Sequence, residues 1–441
     1  MALRTARTAH IPHIAIAGGG LGGLAAALFL RRAGLQATVY EQMPQARETG
    51  AGVVVAPNMV RPLARLGLLE GLRSFAPRLE AAWEFRRWED GRVLSVQTMG
   101  QACRALYGAD CHVAHRGDLL NLLLQALPPE DLQFDQRCIG LQQDAQGVTL
   151  MLAGRDGRQR EVRADILIGA DGIHSAVRSA MAHADPLKDA LQSATKDATK
   201  GAPKGAPKEA PRFSGLCAFR CLVPADAAPA MALRPVQTLW LGPGRHFVHY
   251  PISGGRLVNV VAIVPAGDWR DESWTAPGDV ADLAHEFAGW DPRVGQLIAA
   301  ATDTKRWALF DREPLPQWTQ GRVSLLGDAA HPMLPFFAQG SAQAVEDAEV
   351  LAQCLQDSMP ATAPAALQRY EALRRPRATQ VQLMSRGRET RNHLPDGPEQ
   401  QQRDAELAQG DPLRQAAWLY GEVYGEVPAK DGLGSQALVS P

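Results

Sequence analysis

The feature that most constrains the fold is a glycine-rich turn between an apolar strand and an apolar helix near the N-terminus. Residues 10–42 read HIPHIAIAGGGLGGLAAALFLRRAGLQATVYEQ. The run around Ile14 is short and wholly apolar, which is typical of a central strand in a parallel sheet. Residues 24–33 are expected to form a helix that ends at Gly34, and residues 35–40 a second strand. The pattern predicts a βαβ unit and an α/β fold.

The turn in this unit has the spacing G-x-G-x-x-G. The first glycine allows the turn, the second lets the backbone approach a pyrophosphate, and the third lets the helix pack on the strand. Free N–H groups at the helix start can bind phosphate, and Glu41 can accept hydrogen bonds from ribose hydroxyls. The residues predicted to contact a dinucleotide here are Gly18, Gly20, Leu21, Gly23, Glu41 and Gln42. NAD and FAD share this motif, and the alternative is a glycine-rich turn beside a solvated glutamate.

Composition and charge argue against several classes of protein. The chain has 441 residues, 46% of them hydrophobic and 21% charged, which is typical of a globular protein of two or three domains. The net charge of −1 gives no reason to expect a nucleic-acid or membrane partner. The apolar stretch 11–30 is too rich in glycine for a membrane span, and no cleavage pattern follows it. The cysteines lack zinc spacing, so we expect reduced thiols, no metal site and a cytoplasmic protein. We expect this protein to be a monomer or a homodimer.

Two later segments repeat the pattern of an apolar strand followed by an acid–glycine turn. The first is VRADILIGADGIHSAVRSAM at 162–181, with Asp171, and the second is GRVSLLGDAAHP at 321–332, with Asp328. An NAD dehydrogenase does not need these two distant turns. FAD lies extended across the carboxyl ends of several strands, so its ribityl chain and ring need partners from later in the chain. The set of three motifs therefore favours FAD.

With these motifs the chain resembles the single-component flavoprotein aromatic hydroxylases of the salicylate, 3-hydroxybenzoate and 6-hydroxynicotinate hydroxylase type. The resemblance implies a Rossmann-like FAD-binding domain interleaved with a sheet-rich α+β substrate domain, as in para-hydroxybenzoate hydroxylase. The matching segments are the fingerprint at 18–23, GAGVVVAPN at 50–58, HRGDLL at 115–120, GADGIHSAVR at 169–178, RHFVHYPISGGRLVNVVAIV at 245–264 and GDAAHPMLPFFAQGSAQAVEDA at 327–348.

The domain organisation expected from this resemblance is discontinuous. The FAD-binding domain is expected at 9–76, 113–184 and 302–385, and the substrate domain at 77–112 and 212–301. Residues 185–211, with the repeat KGAP-KGAP-KEAP, are poor in apolar residues, so we expect a flexible Lys/Ala/Gly/Pro insert. A basic docking arm is the alternative for this insert. Residues 386–441 form a C-terminal segment in which Trp418, Leu419 and Tyr420 need a packing partner.

The resemblance also assigns roles to residues around the flavin. Asp328 is expected to accept hydrogen bonds from the ribityl chain. The helix beginning near Gly340 and Ser341 is expected to direct its positive N-terminus at the N1–C2=O edge of the ring. Arg116 is expected to contact the flavin, and Asp171 is assigned to the cofactor site, whereas His331 is taken as structural.

The chemistry implied by the resemblance needs two co-substrates, O2 and either NADH or NADPH. No second fingerprint is present, so the nicotinamide must dock transiently. The resemblance implies that O2 adds to flavin C4a and that the hydroperoxide hydroxylates an electron-rich ring. A phenol reacts better as a phenolate, so a nearby base helps, and water must be kept out of the site.

Candidate substrate residues lie on the strand 245–250. Period-two alternation places one set of its side chains on a single face, and this face is predicted to line the pocket. The predicted catalytic residues are His246 and Tyr250, and the predicted pocket residues are Val54, Val248, Pro335 and Phe336. An ordinary half-buried strand is the alternative, and Arg220 and Arg245 are possible ligands of a substrate carboxylate.

We expect a small aromatic substrate, with a salicylate-like hydroxylated acid as the first choice. Many relatives carry a polar residue where this chain has Val54, which weakens the alternative of a hydroxypyridine carboxylate. A larger secondary metabolite is a further alternative. The alternatives from a different class of protein are an NAD(P)-dependent dehydrogenase and a non-catalytic nucleotide-binding module. The segments at Asp328 and Gly340 argue against both.

Overall fold

The structure is a computed structural model that describes residues 12–45, 52–183, 210–273, 275–356, 358 and 360–421. The insert expected at 185–211 lies outside the described residues up to position 209. The last part of the expected C-terminal segment, 422–441, also lies outside them.

The described chain contains both strands and helices, and its part after Gly340 is helical. The strands are β1 His13–Ala17, β2 Gln36–Tyr40, β3 Gly52–Val55, β4 Ala81–Arg87, β5 Val93–Thr98, β6 His112–His115, β7 Leu132–Gln133, β8 Arg137–Gln143, β9 Val148–Ala153, β10 Gln159–Ala164, β11 Ile166–Gly169, β12 Arg212–Pro224, β13 Val236–Gly242, β14 Arg245–Ile252, β15 Leu257–Pro265, β16 Pro277–Gly278, β17 Thr304–Asp311, β18 Thr319–Gln320 and β19 Val323–Leu325. The helices are α1 Leu21–Arg32, α2 Pro57–Arg65, α3 Leu69–Phe75, α4 Gly100–Tyr107, α5 Arg116–Ala126, α6 Ala176–His183, α7 Val280–Glu286, α8 Pro292–Ala299, α9 Gly340–Leu355, α10 Ala363–Asn392, α11 Pro398–Gln409, α12 Pro412–Gln415 and α13 Ala417–Tyr420.

A six-stranded sheet holds the fingerprint turn near its centre, in the order β18-β19-β11-β1-β2-β7. Neighbouring strands are parallel except in the pair β18–β19. The turns that follow β1, β11 and β19 therefore lie at the same carboxyl edge of the sheet. This arrangement brings together the three motifs that the sequence places about 150 residues apart, and ligands of open α/β sheets bind at such an edge.

Helix α1 begins at Leu21, three residues before the predicted start. Gly20 is extended, with φ −74° and ψ −177°, so the helix follows directly from the second fingerprint glycine. Gly34 has φ +77°, in agreement with the predicted helix stop. The helix lies against α9, because a Cβ at Gly22 would be 3.1 Å from the Cβ of Ala344. This contact joins the N-terminal unit to the segment after Asp328.

An eight-stranded sheet forms the second layer, in the order β16-β17-β12-β15-β14-β13-β4-β5. Residues 81–98 supply β4 and β5 to this sheet. The boundary predicted at 302 is wrong in one respect, since β17 pairs with β12 in this sheet and not in the FAD-binding part. A short apolar strand pattern does not reveal its partner, because strand pairing is decided by long-range contacts.

A separate two-stranded sheet of β3 and β6 contacts the eight-stranded sheet where β3 passes the middle of β14 and β15. The backbone N–H of Gly52 donates to Asn259 Oδ1 at 2.7 Å. A Cβ at Gly52 would be 2.5 Å from Cε2 of Tyr250 and 2.8 Å from Cγ of Asn259. Only glycine fits this approach without displacing the tyrosine ring. Strand β14 is thus held directly against the β3–β6 pair.

Helix α10 runs through the boundary expected at 385, so the C-terminal segment does not begin as a separate unit there. Beyond it, Leu419 and Tyr420 are buried in an apolar cluster that also contains Val54, Val248 and Phe337. The packing partner that these two side chains required is therefore the junction of the sheets. Among the helices described, each is too short or too polar to span a bilayer.

Candidate active site

The three fingerprint glycines differ in their surroundings. Gly18 has φ +109°, and a Cβ there would overlap the carbonyl oxygen of Ala170. A Cβ at Gly23 would overlap the carbonyl oxygen of Gly18. At Gly20, by contrast, no atom lies within 4 Å of an added Cβ. The first and third glycines serve packing, and the second leaves the backbone open to a cleft at the sheet edge.

Glu41 braces the same turn from β2. Its Oε2 accepts from the backbone N–H of Gly19 at 2.7 Å, and its Oε1 accepts from that of Met43 at 2.8 Å. Each carboxylate oxygen keeps a further lone pair for a ribose hydroxyl. Gln42 is exposed, whereas Leu21 is buried beneath the turn.

Arg116 and Asp328 face this cleft from two other parts of the chain. The Asp328 side chain is open to solvent although protein surrounds it on most sides, so it lines an internal cleft. Burial raises its pKa, while His331 and Arg116 lower it. Burial lowers the pKa of Arg116, and the charges of Asp328 and Glu41 raise it. Among the described residues Arg116 makes no hydrogen bond, so the donors of its guanidinium are unused, while the charges of Asp328 and Glu41 act on it.

The N-terminus of α9 opens onto the same cleft. A Cβ at Gly340 would be 3.9 Å from Oδ1 of Asp328. The N-cap residue, Gln339, gives the helix no side-chain cap, because its Oε1 accepts from Asn58 Nδ2 at 2.9 Å. Among the described residues, the first N–H groups of α9, including that of Ser341, therefore find no side-chain acceptor at an end with positive partial charge.

Asp171 has a different position from Glu41 and Asp328. Its Oδ2 accepts from the backbone N–H groups of Ala176 and Val177 at 2.7 and 3.2 Å, and its Oδ1 accepts from Ser175 Oγ at 2.5 Å. Burial raises the pKa of the carboxyl, and these hydrogen bonds lower it. The carboxylate holds the start of α6, which is a structural role that the sequence motif did not predict.

A buried ionic network anchors the loop between Gly327 and α9. His331 Nε2 lies 2.6 Å from Asp347 Oδ2, and Arg374 donates to Asp347 Oδ1 at 2.7 Å. Arg374 also donates to Glu346 Oε2 at 2.6 Å. The contact with Asp347 agrees with the structural role expected of His331, which stays a prediction. Sequence reasoning missed the other members of the network, because acids and arginines on helices are usually solvated.

Strand β14 has the two faces predicted from its alternation. Val248 and Tyr250 belong to the apolar cluster that contains Val54, whereas Phe247 belongs to a cluster on the opposite face of the sheet. Burial raises the pKa of Tyr250, so its phenol stays protonated and can donate a hydrogen bond. Arg245, which the sequence suggested as a ligand of a substrate carboxylate, instead forms an ion pair with Glu286. The distance from its Nη1 to Glu286 Oε2 is 2.6 Å.

His246 forms a pair with a second histidine. Its Nδ1 lies 2.7 Å from Nε2 of His393, and the ring centroids are 4.9 Å apart. Burial and the neighbouring His393 lower the pKa of His246 well below its usual value, so the ring is neutral near pH 7. Phe336 lies edge-on to His246, with centroids 5.6 Å apart. His393 could not be found from the sequence, because it stands in a polar stretch without a motif.

The predicted pocket residues divide between two adjoining apolar clusters. Val54, Val248 and Tyr250 share one cluster with Phe337, whereas Phe336 lies in the next cluster, with Trp307 and Leu334. Pro335 is exposed. Phe337 was missed, although it follows Phe336 directly in the same motif.

Comparison with known proteins agrees with this geometry. A family model described as FAD binding domain matches residues 12–385. The chain is 42% identical over 412 residues to a 3-amino-4-hydroxybenzoate 2-monooxygenase of Streptomyces platensis, covering 93% of this chain and 96% of that one. The chain belongs to the FAD-dependent aromatic hydroxylases. This aromatic hydroxylase is also 34% identical over 376 residues to the 6-hydroxynicotinate 3-monooxygenase of Bordetella bronchiseptica, covering 85% and 90% of the two chains.

A solved structure gives the same fold. The hydroxylase matches a salicylate hydroxylase substrate complex with a TM-score of 0.73 and 28% identity, over 93% of this chain and 95% of that one. The resemblance stated from the sequence and the predicted para-hydroxybenzoate hydroxylase-like fold are therefore confirmed. The protein is an FAD-dependent aromatic monooxygenase whose co-substrates are O2 and NADH or NADPH.

The fingerprint glycines allow a test that separates folding from cofactor binding. Gly20→Ala is expected to leave the melting temperature of the apoprotein unchanged and to weaken FAD binding, because its methyl group points into the open cleft. Gly23→Ala is expected to lower the melting temperature, since its methyl group would overlap Gly18. Thermal unfolding of the apoprotein and a flavin fluorescence titration measure the two effects. Equal losses of stability in both variants would contradict this division.

Asp328→Ala is expected to yield folded protein that purifies largely without FAD. The variant removes a charged acceptor from the cleft, and a hydrogen bond to a charged group contributes about 1.5–3 kcal/mol. The FAD dissociation constant should rise by about one to two orders of magnitude. The ratio of absorbance at 450 and 280 nm gives the flavin content, and Asp268→Ala, at an exposed site in the second layer, serves as the control. Full flavin occupancy in Asp328→Ala would refute the assignment.

Proposed function

We propose that this aromatic hydroxylase acts on a hydroxybenzoate, with 3-amino-4-hydroxybenzoate as the first candidate and salicylate as the second. The observation that carries the proposal is the junction between the β3–β6 pair and the eight-stranded sheet. There the apolar cluster of Val54, Val248, Tyr250 and Phe337 lies beside the loop that leads from Asp328 to α9. Such a junction suits a flat aromatic ring next to a flavin.

The balanced reaction consumes one O2 and one NAD(P)H with a proton, and it yields the hydroxylated ring, NAD(P)+ and water. FAD supplies the activation of O2 when it is bound. The chain itself holds the ring, excludes water and manages the proton of the substrate hydroxyl. His246 is uncharged near pH 7, so its ring can accept a hydrogen bond from that hydroxyl, and protonated Tyr250 is a suitable donor to a ring substituent.

The residues proposed to hold FAD are those around the cleft. Gly18, Gly20, Leu21 and Gly23 form its pyrophosphate end, with Glu41 and Gln42 near the ribose. Arg116, Asp328, Gly340 and Ser341 form the ribityl and ring end. The unused donors of Arg116 and the uncapped N-terminus of α9 support this orientation. For Asp171 the support is weaker, since its carboxylate already holds α6, and we propose that it acts through the position of that helix.

We also propose a two-domain division along the two large sheets, with the boundary near 312 in place of 302. A cytoplasmic location is supported by the six cysteines, which are all free. Either a monomer or a homodimer is compatible with the contacts of the single chain.

The substrate is tested with a panel of aromatic acids. Salicylate, 3-amino-4-hydroxybenzoate, 3-hydroxybenzoate and 6-hydroxynicotinate are each incubated with the holoenzyme and NADH or NADPH. A true substrate stimulates NAD(P)H oxidation, and it gives a hydroxylated product in near 1:1 ratio to NAD(P)H with little hydrogen peroxide. We expect 3-amino-4-hydroxybenzoate to give the tightest coupling. If only 6-hydroxynicotinate is hydroxylated, the proposed substrate class is wrong.

A further inference from the structure

We propose that Arg388, on the last turns of α10, binds the carboxylate of the aromatic substrate. This inference rests on the proposed function, because it assigns the anionic group of that substrate a partner. The sequence motifs did not indicate this residue, since it lies in the polar stretch after the flavin motifs.

The guanidinium of Arg388 lies among aromatic side chains. Its central carbon is 4.8 Å from the ring centroid of Phe337 and 5.6 Å from that of Trp83. Both rings belong to the apolar cluster that contains Val54, Val248 and Tyr250. Phe337 comes two residues after Pro335 in the loop that leads to the N-terminus of α9. The charge is thus placed at the junction proposed for the substrate ring.

Arg388 is half-buried, and it differs in its partners from the buried arginines of the same helix. Arg374 donates to the carboxylates of Glu346 and Asp347, and Arg377 donates to Glu346. Among the described residues Arg388 has neither a hydrogen bond nor an ion pair. Burial lowers its pKa, Tyr420 raises it and Arg391 lowers it, with no carboxylate among the causes.

A half-buried guanidinium without a carboxylate is unfavourable, because the charge loses part of its hydration and gains no partner. A substrate carboxylate would supply that partner. The planar guanidinium presents donors in a fork that matches both carboxylate oxygens, and it stacks well on aromatic rings. Neither Phe337 nor Trp83 has a side-chain hydrogen-bond acceptor to offer, so the donors of the fork are left for an anion.

Ligand binding to the holoenzyme tests the assignment without turnover. The probes are 3-amino-4-hydroxybenzoate and its carboxamide, 3-amino-4-hydroxybenzamide, titrated by calorimetry and by the change in flavin absorbance. Wild type is expected to prefer the carboxylate. In Arg388→Met the carboxylate should bind on the order of 100-fold more weakly, whereas the affinity for the carboxamide should change less than threefold. Arg388→Lys keeps the charge without the fork and should lose about tenfold for the carboxylate.

Arg391→Met is the matched control. Arg391 lies one turn further along the same helix, where it forms an exposed ion pair with Glu406 at 2.8 Å. Its variant should retain the carboxylate preference of wild type. FAD content and far-UV circular dichroism verify that each variant folds, and if Arg388→Met does not, Arg388→Lys provides the comparison.

Two results would overturn the proposal. One is an equal loss of affinity for carboxylate and carboxamide in the Arg388 variants, which would mean that the residue only supports the cluster. The other is a wild type that binds both probes equally. Failure of the substrate panel would be a separate result, since it would show no hydroxylation while the binding preference could still be measured.

Discussion

Replacing His246 by alanine is expected to lower the rate of hydroxylation by about 10²–10⁴-fold, the usual loss for a general base. The ring is buried and neutral near pH 7, and one of its nitrogens is held by His393, which fixes its orientation. FAD should stay bound, because His246 lies outside the cleft formed by Glu41, Arg116 and Asp328. NAD(P)H should still be oxidised, and most of its electrons should appear as hydrogen peroxide.

The measurements are the rates of NAD(P)H oxidation, product formation and peroxide formation with the same substrate. His249→Leu is the matched control, because His249 is a buried histidine on the opposite face of β14. Neither of its ring nitrogens has a hydrogen-bond partner among the described residues, so an apolar replacement should be tolerated. Tyr250→Phe should lose about 1–2 kcal/mol, or about tenfold, in substrate affinity or coupling. Unchanged coupling in His246→Ala would show that β14 is only scaffold.

Replacing Arg374 by methionine is expected to destabilise the fold by about 3–5 kcal/mol, because it removes one partner from a buried ionic network. Asp347 and Arg374 are fully buried, and Glu346 is nearly so. Burial would raise the pKa of Asp347, but His331 and Arg374 lower it to about 2. The carboxylate of Asp347 therefore stabilises the fold at pH values above its ordinary pKa of about 4. This contribution to stability is lost as the pH falls toward 2.

Urea unfolding of the holoenzyme at pH 7 measures this loss, and the midpoint should fall without a change of slope. The control is Arg375→Met, at the adjacent position, where Arg375 lies 3.3 Å from Glu371 in a partly exposed pair worth about 0–1 kcal/mol. The flavin content of Arg374→Met should also fall, since the network holds the loop that carries Asp328. Equal stability of the two variants would mean that the network does not contribute as we infer.

The comparison of variants also separates two effects of the loop after Asp328. Asp328→Ala is expected to lose flavin with the fold intact, whereas Arg374→Met is expected to lose both. The distinction follows from position: Asp328 is open to the cleft, and Arg374 is fully buried behind the loop.

The sequence by itself determined the features that depend on local sterics and periodicity. The fingerprint glycines were predictable, because Gly18 has a positive φ in the turn and a Cβ at Gly23 would overlap the nearby carbonyl oxygen of Gly18. The two faces of β14 followed from the alternation of an extended strand. The meeting of the turns after β1, β11 and β19 followed from the rule that parallel strands share a carboxyl edge.

The tertiary structure alone decided which distant polar groups meet. Arg374 and Arg388 lie on one helix of a similar polar pattern, yet one is held by two acids and the other lies among aromatic rings. His393 reached His246 across 147 residues, and β17 joined the second sheet against the predicted boundary. Local sequence carries no signal for such contacts, because the energy of a charged or polar group depends on the dielectric and the partners that the folded chain brings to it.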